Sequence, residues 1–244
     1  LNTVVKWMKR TPCVLKHVAI EPPWSVLVMP DSAFKATEPD CLAIRACVVV
    51  LMNPSTLPSG GPVGVVEFYS RKQPRVCRST FSAELCSVDD ASSIGLLIRG
   101  MFAELVRGPM SAAVMAKKTD CGDLGVELEI ATDNRGLFNG ATATEIKIPS
   151  EPHLLYLLKA LRDRLDSHSI DALWWFDTRD MICDAMTKGT LPREPLLRLW
   201  RTATLQILGE TPVQWRSKVR HADDDVQELA DRLSKAIIGN GTSR

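Results

Sequence analysis

The chain has 244 residues, a net charge of +1 and an apolar share of 45%, enough for a buried core in one large domain with appendages or in two small ones. No apolar stretch approaches membrane-spanning length, and the even charge gives no bulk attraction to nucleic acid, so any such binding falls to local patches. Cysteines at positions 13, 41, 47, 77, 86, 121 and 183 never form a C-x-x-C pair, which fits reduced thiols inside a cell and argues against a disulfide framework or zinc site. Starting at Leu1 without a signal-like segment, the chain reads as a piece of something longer.

In chain order, residues 24–29 form the first predicted strand, apolar on both faces and therefore central in its sheet. A second strand covers about residues 41–52 and ends at Asn53-Pro-Ser. The turn-forming Thr56-Leu-Pro-Ser-Gly-Gly-Pro then reads as a hairpin loop longer than two residues. The third strand, residues 63–70, sets Val66 and Phe68 against Val65 and Tyr69 on alternate sides. Ser79 or Thr80 caps a helix in which Phe81, Leu85 and Val88 recur at helical spacing, running to about Val106, with Gly95 and Gly100 weakening its second half.

Residues 117–125 read as a loop. The fourth strand alternates Val126, Leu128 and Ile130 with Glu127 and Glu129, which predicts one less buried face. Pro149 and Pro152 introduce a helix with Leu154, Leu158, Leu161 and Leu165 on one stripe, residues 172–176 form a fifth strand, and a short helix holds residues 180–188. Near the end, residues 223–238 carry Val226, Leu229, Leu233 and Ile237 on one side, with acids in the first turn and Lys235 near the end, the pattern of an amphipathic helix.

Four acids stand at junctions of these elements: Asp31 after the first strand, Glu84 in the first turns of the long helix, Asp133 after the fourth strand and Asp184 in the short helix. Carboxylates that converge from separate elements can hold two hard divalent cations, the arrangement used for in-line phosphodiester hydrolysis. Each acid also has a plain structural use. Asp133 can cap the next helix, Glu84 can serve in a capping box, and Asp177 and Asp180 lie close enough to Asp184 to replace it.

The order of elements and acids resembles the ribonuclease H fold. Tyr69-Ser-Arg-Lys-Gln-Pro-Arg-Val-Cys-Arg-Ser-Thr-Phe-Ser-Ala-Glu resembles the W-S-x-K-Q … V-x-x-S-S-x-x-A-E stretch of copia-type LTR-retrotransposon polyproteins. Ala131-Thr-Asp-Asn resembles that family's x-x-D-N, and Trp175-Phe-Asp-Thr-Arg-Asp-Met-Ile-Cys-Asp-Ala-Met-Thr-Lys-Gly its x-x-T-x-x-Q-x-A-D-x-x-T-K, with Thr187-Lys at the family spacing from Asp184. Upstream, Val5-Lys-Trp-Met-Lys-Arg-Thr-Pro resembles the Y-L-K-x-T end of the reverse-transcriptase portion.

The resemblance implies an α/β, ribonuclease H-like fold: a five-stranded mixed sheet, its first three strands antiparallel and the rest parallel, with helices on both faces. It divides the chain into a reverse-transcriptase remnant (1–23), a ribonuclease H-like domain (24–200) and a C-terminal extension (201–244). Asp31, Glu84, Asp133 and Asp184 fall on the family's metal-binding carboxylates, which implies two Mg2+ ions (Mn2+ as a substitute) and cleavage of the RNA strand of an RNA–DNA hybrid. Lys72, Arg75, Arg78 and Asn134 are the candidates for contacting the nucleic-acid backbone. The implied partners are the hybrid and the reverse-transcriptase portion of the same polyprotein, with no membrane, in a cytoplasmic particle or the nucleus.

Pro30 and the near-neutral charge favour a rival, a decayed or repurposed module that binds nucleic acid or protein without cleaving, while the four intact acids favour the enzyme. Pro30 precedes Asp31 in what should be a central strand, where a missing N–H threatens the aim of the first carboxylate. The family's x-x-H-I segment is replaced by Ile148-Pro-Ser-Glu-Pro-His153-Leu-Leu, and His153 is read as a structural residue at a helix start. Ser87-Val-Asp89-Asp90, superficially like a polymerase motif, falls inside the helical pattern, and Trp174-Trp175 opens a buried strand.

Overall fold

The computed structural model of the protein describes residues 14–34, 42–188 and 192–219. Cys13, Cys41, the segment from Val5 and the amphipathic pattern of residues 223–238 lie outside them. Among the described residues no helix is long and apolar enough to cross a membrane.

Strands β1 (Ser25–Ala33), β2 (Leu42–Met52) and β3 (Gly60–Val76) form an antiparallel meander, and β4 (Glu127–Thr132) and β5 (Ala172–Trp175) extend it in parallel to β1. Directions therefore follow the expectation, but the strand count does not. Among the described residues the sheet has seven strands in the order β6-β3-β2-β1-β4-β5-β7, because β6 (Thr204–Gln206) covers the start of β3 and β7 (Val213–Trp215) covers β5. Three-residue strands carry too little periodicity to be read from sequence, and these two exist because they pair with edges that would otherwise stay open.

The helices are α1 (Thr80–Arg107), α2 (Ala112–Asp120), α3 (Arg135–Thr142), α4 (Leu154–Asp166), α5 (Asp184–Thr187) and α6 (Glu194–Thr202). On one face of the sheet α1, α3 and α4 bury Leu85, Val88, Leu137, Leu158 and Leu161 against Val26, Val28, Leu128 and Ile130. Opposite them, Ile182, Cys183, Leu196 and Leu199 pack on Leu27, Met29, Val48 and Phe176. β1 is buried on both sides, as its unbroken apolar run requires.

Several local expectations need correction. The long helix is not among them: α1 runs to Arg107 as expected, through Gly95, where the helix lies so close on the sheet that a Cβ would come within 2.7 Å of Val28 and 2.9 Å of Leu128. Residues 117–120, expected in a loop, are the last turn of α2, which Ser111 caps. β3 is longer than predicted, and an irregularity between Val49 and Val50 in its pairing with β2 turns Val65 and Tyr69 toward opposite faces although two-residue alternation would align them. Glu129 is 1% exposed rather than on an open face, since Trp174 and Ser25 both donate to its carboxylate.

Candidate metal centre

Asp31 lies near the end of β1, fully buried. Pro30 does not misdirect it. The β1–β4 pairing ends at Val28↔Ile130, so Pro30 has no β4 partner, while the β1–β2 register continues unbroken through Pro30↔Cys47 and Asp31↔Ala46. The Ser87 hydroxyl in α1 donates to the Asp31 carbonyl at 3.1 Å, and the Cys183 thiol donates to the Met29 carbonyl at 2.7 Å, so both helical layers clamp this end of β1.

Glu84 reaches the same place from the second turn of α1. That helix starts at Ser79, whose hydroxyl accepts from the Ser82 amide at 3.0 Å, while Ser82 returns the bond to the Ser79 amide. The capping-box partner is thus Ser82, and Glu84 is left for the interior, where its carboxylate accepts from the Ser32 amide. The Gln73 amide, donating to the Ala83 carbonyl at 2.7 Å and to the Ser32 hydroxyl at 3.3 Å, fixes β3, β1 and the start of α1 together around it.

Asp133 directly follows β4. The Trp175 indole donates to its carbonyl at 3.1 Å and the Thr178 hydroxyl bonds its carboxylate. It does not cap α3: Asn134 does, accepting from the Leu137 amide at 2.9 Å. Asp184 opens α5. Its sequence rivals are committed elsewhere, Asp177 to Arg179 at 2.8 Å and Asp180 to the amides of Leu208 at 2.7 Å and Gly209 at 3.0 Å.

Asp31, Asp133 and Asp184 each present one carboxylate oxygen, and these oxygens lie within 4.8 Å of one another. Glu84 stands outside that tight triad but within its field. Burial, followed by the charges of Asp31 and Asp133, pushes its carboxyl well above the usual range. Burial and then Asp184 push Asp31 up to about 7, and the same two causes in the same order raise Asp133. Two buried atoms, Asp31 Oδ1 and Glu84 Oε2, have no hydrogen-bond partner. Buried polar atoms are normally satisfied, and these are hard, anionic oxygens crowded together, so the residues fit a divalent cation such as Mg2+.

Two residues used in the sequence only as motif spacing complete the cluster. The Thr187 hydroxyl donates to Asp31 Oδ2, and the Lys188 ammonium bonds Asp184 Oδ1 and lies 3.9 Å from Asp31 Oδ1. Burial works against the Lys188 charge, yet Asp184, Asp31 and Asp133 outweigh it and hold the ammonium above its ordinary pKa. Beside Asp133, the exposed Arg135 guanidinium stacks at 3.5 Å on the Trp175 ring. Of the predicted backbone contacts, Lys72 and Arg75 are exposed on β3, Arg78 is exposed just before α1, and Asn134 is half-buried as the α3 cap. His153 is largely exposed, 3.9 Å from Glu151, whose carboxylate accepts from the Ser79 hydroxyl at the start of α1.

The antiparallel meander extended by two parallel strands, with helices on both faces, is a mixed α/β fold with the strand directions that the ribonuclease H resemblance implies. Comparison with protein-family models and with curated proteins finds no match. Among solved structures, the chain is similar to RNase H1 from the halophilic archaeon Halobacterium salinarum NRC-1, with 14% identity, 68% of this chain and 96% of that chain covered, and a TM-score of 0.41. It is also similar to LC9-RNase H1, a type 1 RNase H with the type 2 active-site motif, with 16% identity, 90% and 86% covered, and a TM-score of 0.37. The NurA nuclease from Sulfolobus solfataricus is more distant, with 10% identity, 82% and 62% covered, and a TM-score of 0.26. At these identities and TM-scores the likenesses carry nothing about chemistry.

Proposed function

We propose that this protein is a metal-dependent nuclease that hydrolyses the RNA strand of RNA–DNA hybrids. The observation that supports it most is the meeting of Asp31, Asp133 and Asp184 from three separate elements, with the buried Glu84 carboxylate alongside and two oxygens left without partners. Asp31, Glu84, Asp133 and Asp184 would hold Mg2+, which when bound supplies an activated water and charge stabilisation for the leaving 3′ oxygen. The chain's own part is to keep these carboxylates crowded and largely out of water, so that their repulsion is relieved by a cation rather than by solvent.

Lys72, Arg75, Arg78 and Asn134 are the residues proposed to meet the nucleic-acid backbone, with Arg135 added beside Asp133. A hybrid would be recognised by groove shape and its 2′-hydroxyls rather than by sequence. The choice of hybrid, the link to a copia-type polyprotein and the reverse-transcriptase partner rest on the motif resemblance around Glu84, Asp133 and Asp184. In a cleavage assay with Mg2+ on a labelled RNA–DNA duplex, the parent protein should cut the RNA strand and Asp133→Asn should fall to background. Equal, background-level signals from both proteins would sink the enzyme reading and favour the non-cleaving module. Cleavage of duplex DNA with the hybrid untouched would move the assignment to another substrate.

A further inference from the structure

The carboxylate cluster is not evenly bare. Asp31 Oδ2 and Asp184 Oδ1 are occupied by donors from the end of α5, Thr187 and Lys188, whereas Asp31 Oδ1 and Glu84 Oε2 have no hydrogen-bond partner. Lys188 sits one helical turn after Asp184 with its side chain 37% exposed, so its flexible four-carbon stem runs from the surface to the cluster. Its ammonium therefore stands between two of the acids that would hold a cation, in contact with one and 3.9 Å from the other.

We propose that Lys188 is a built-in counter-ion: its ammonium holds the cation position between Asp31 and Asp184 in the metal-free protein and must swing out before a divalent ion can take that position. The inference rests on the metal-site reading above and deepens it. Crowded buried carboxylates destabilise a folded chain unless some positive charge is near, and a tethered ammonium supplies it before any ion arrives. The same charge then competes with the incoming ion, since two cations cannot share one pair of carboxylates without strong repulsion at this separation. Metal entry becomes an exchange of one cation for another, and Lys188 tunes affinity downward while keeping the empty site folded. A purely structural lysine would have the opposite signature, because removing it would loosen the ligands and weaken metal binding.

Calorimetric titration of the full chain with Mn2+ alone separates these cases, using the parent, Lys188→Met, Lys188→Arg and Asp133→Asn. Lys188→Met should bind Mn2+ about tenfold more tightly or better, melt at a lower temperature without metal and gain more from adding it. Lys188→Arg, which keeps the charge, should stay near the parent. Equal or weaker binding by Lys188→Met, with Asp133→Asn still impaired, would overturn the counter-ion role and leave the metal site standing. If Asp133→Asn binds as the parent does, the metal-site reading falls and takes this inference with it. Should Lys188→Met not fold without metal, the lysine side-chain resonances of the parent decide. The Lys188 signal, assigned by its loss in Lys188→Arg, should move on Mg2+ addition in the parent and stay put in Asp133→Asn, and a signal unmoved by Mg2+ in the parent would overturn the proposal.

Discussion

At the amino ends of β4 and β5, the buried Arg99 guanidinium donates to the carbonyls of Val126, His168, Ser169 and Gly122 and pairs with Asp171 at 3.2 Å. At the carboxyl ends of β1 and β4, Asp31 and Glu84 each keep a buried oxygen with no hydrogen-bond partner, within a group of like charges. Both ends bury ionisable groups, and α1 supplies one to each, Glu84 and Arg99, roughly 22 Å apart along the helix at ~1.5 Å per residue. One end is a closed account of donors and acceptors that ties loops to the sheet. The other crowds like charges together, and open α/β sheets place their ligands at this same carboxyl end of the parallel strands. The contrast is between a buried charge met on every side by partners and like charges crowded together from separate elements.

Breaking the satisfied end should be the most damaging change. Arg99→Leu removes the ion-pair partner of the Asp171 carboxylate, leaving it only the Leu128 amide, and the donor to four carbonyls, so urea unfolding should show a loss of ~3–5 kcal/mol. The molecules that remain folded should still bind Mn2+, because the ligands lie at the far end. Gly95→Ala strikes the helix between the two ends. The added methyl group meets Val28 and Leu128, and overpacking should cost ~1–3 kcal/mol while also displacing Glu84 enough to reduce cleavage.

At the unsatisfied end the sign reverses. Asp133→Asn removes a repelling charge, so the metal-free protein at pH 8 should gain on the order of 1 kcal/mol even as cleavage is lost. Unchanged or reduced stability would mean that the carboxylates are already neutralised without metal.

A pH-dependent effect sharpens the contrast further. Burial pushes the Glu129 carboxyl up to about 7, against the donors Trp174 and Ser25 and the charge of Arg216. A carboxyl raised on folding favours the folded state most below its unfolded pKa, and that contribution is lost as pH rises through the folded value. Stability should therefore fall between about pH 4.5 and 7 through this group, and Glu129→Gln should flatten that part of the pH profile in thermal melts. An identical slope in the variant would assign the pH dependence to other groups, the metal-centre acids first among them.

Much of the arrangement was legible in the chain. The leucine stripe at 154, 158, 161 and 165 is buried as its spacing required, and both Trp174 and Trp175 are core. Ser87-Val-Asp89-Asp90 is helical, with Asp89 paired to Arg164 and Asp90 to Arg45. Glu129 was misread because alternation reports polarity, not whether partners wait across the sheet. α2 escaped because, with no buried residue, it leaves no apolar stripe to detect. Among the site residues, Asp184 could be told from Asp177 and Asp180 only by motif spacing, and the structure shows why the other two are spent on Arg179 and on the Leu208 and Gly209 amides.

The sequence by itself determined the strand and helix alternation, the two-sided burial of β1 and the four acids at element ends, since periodicity and junction chemistry are local properties. Only the tertiary structure decided that Pro30 leaves the aim of Asp31 intact, because that depends on where β4 stops pairing. It also decided that β6 and β7 close the sheet edges and that Lys188 stands among the acids. Those outcomes turn on which groups from distant parts of the chain arrive within a few ångströms of each other, and burial then fixes how strongly their charges are felt.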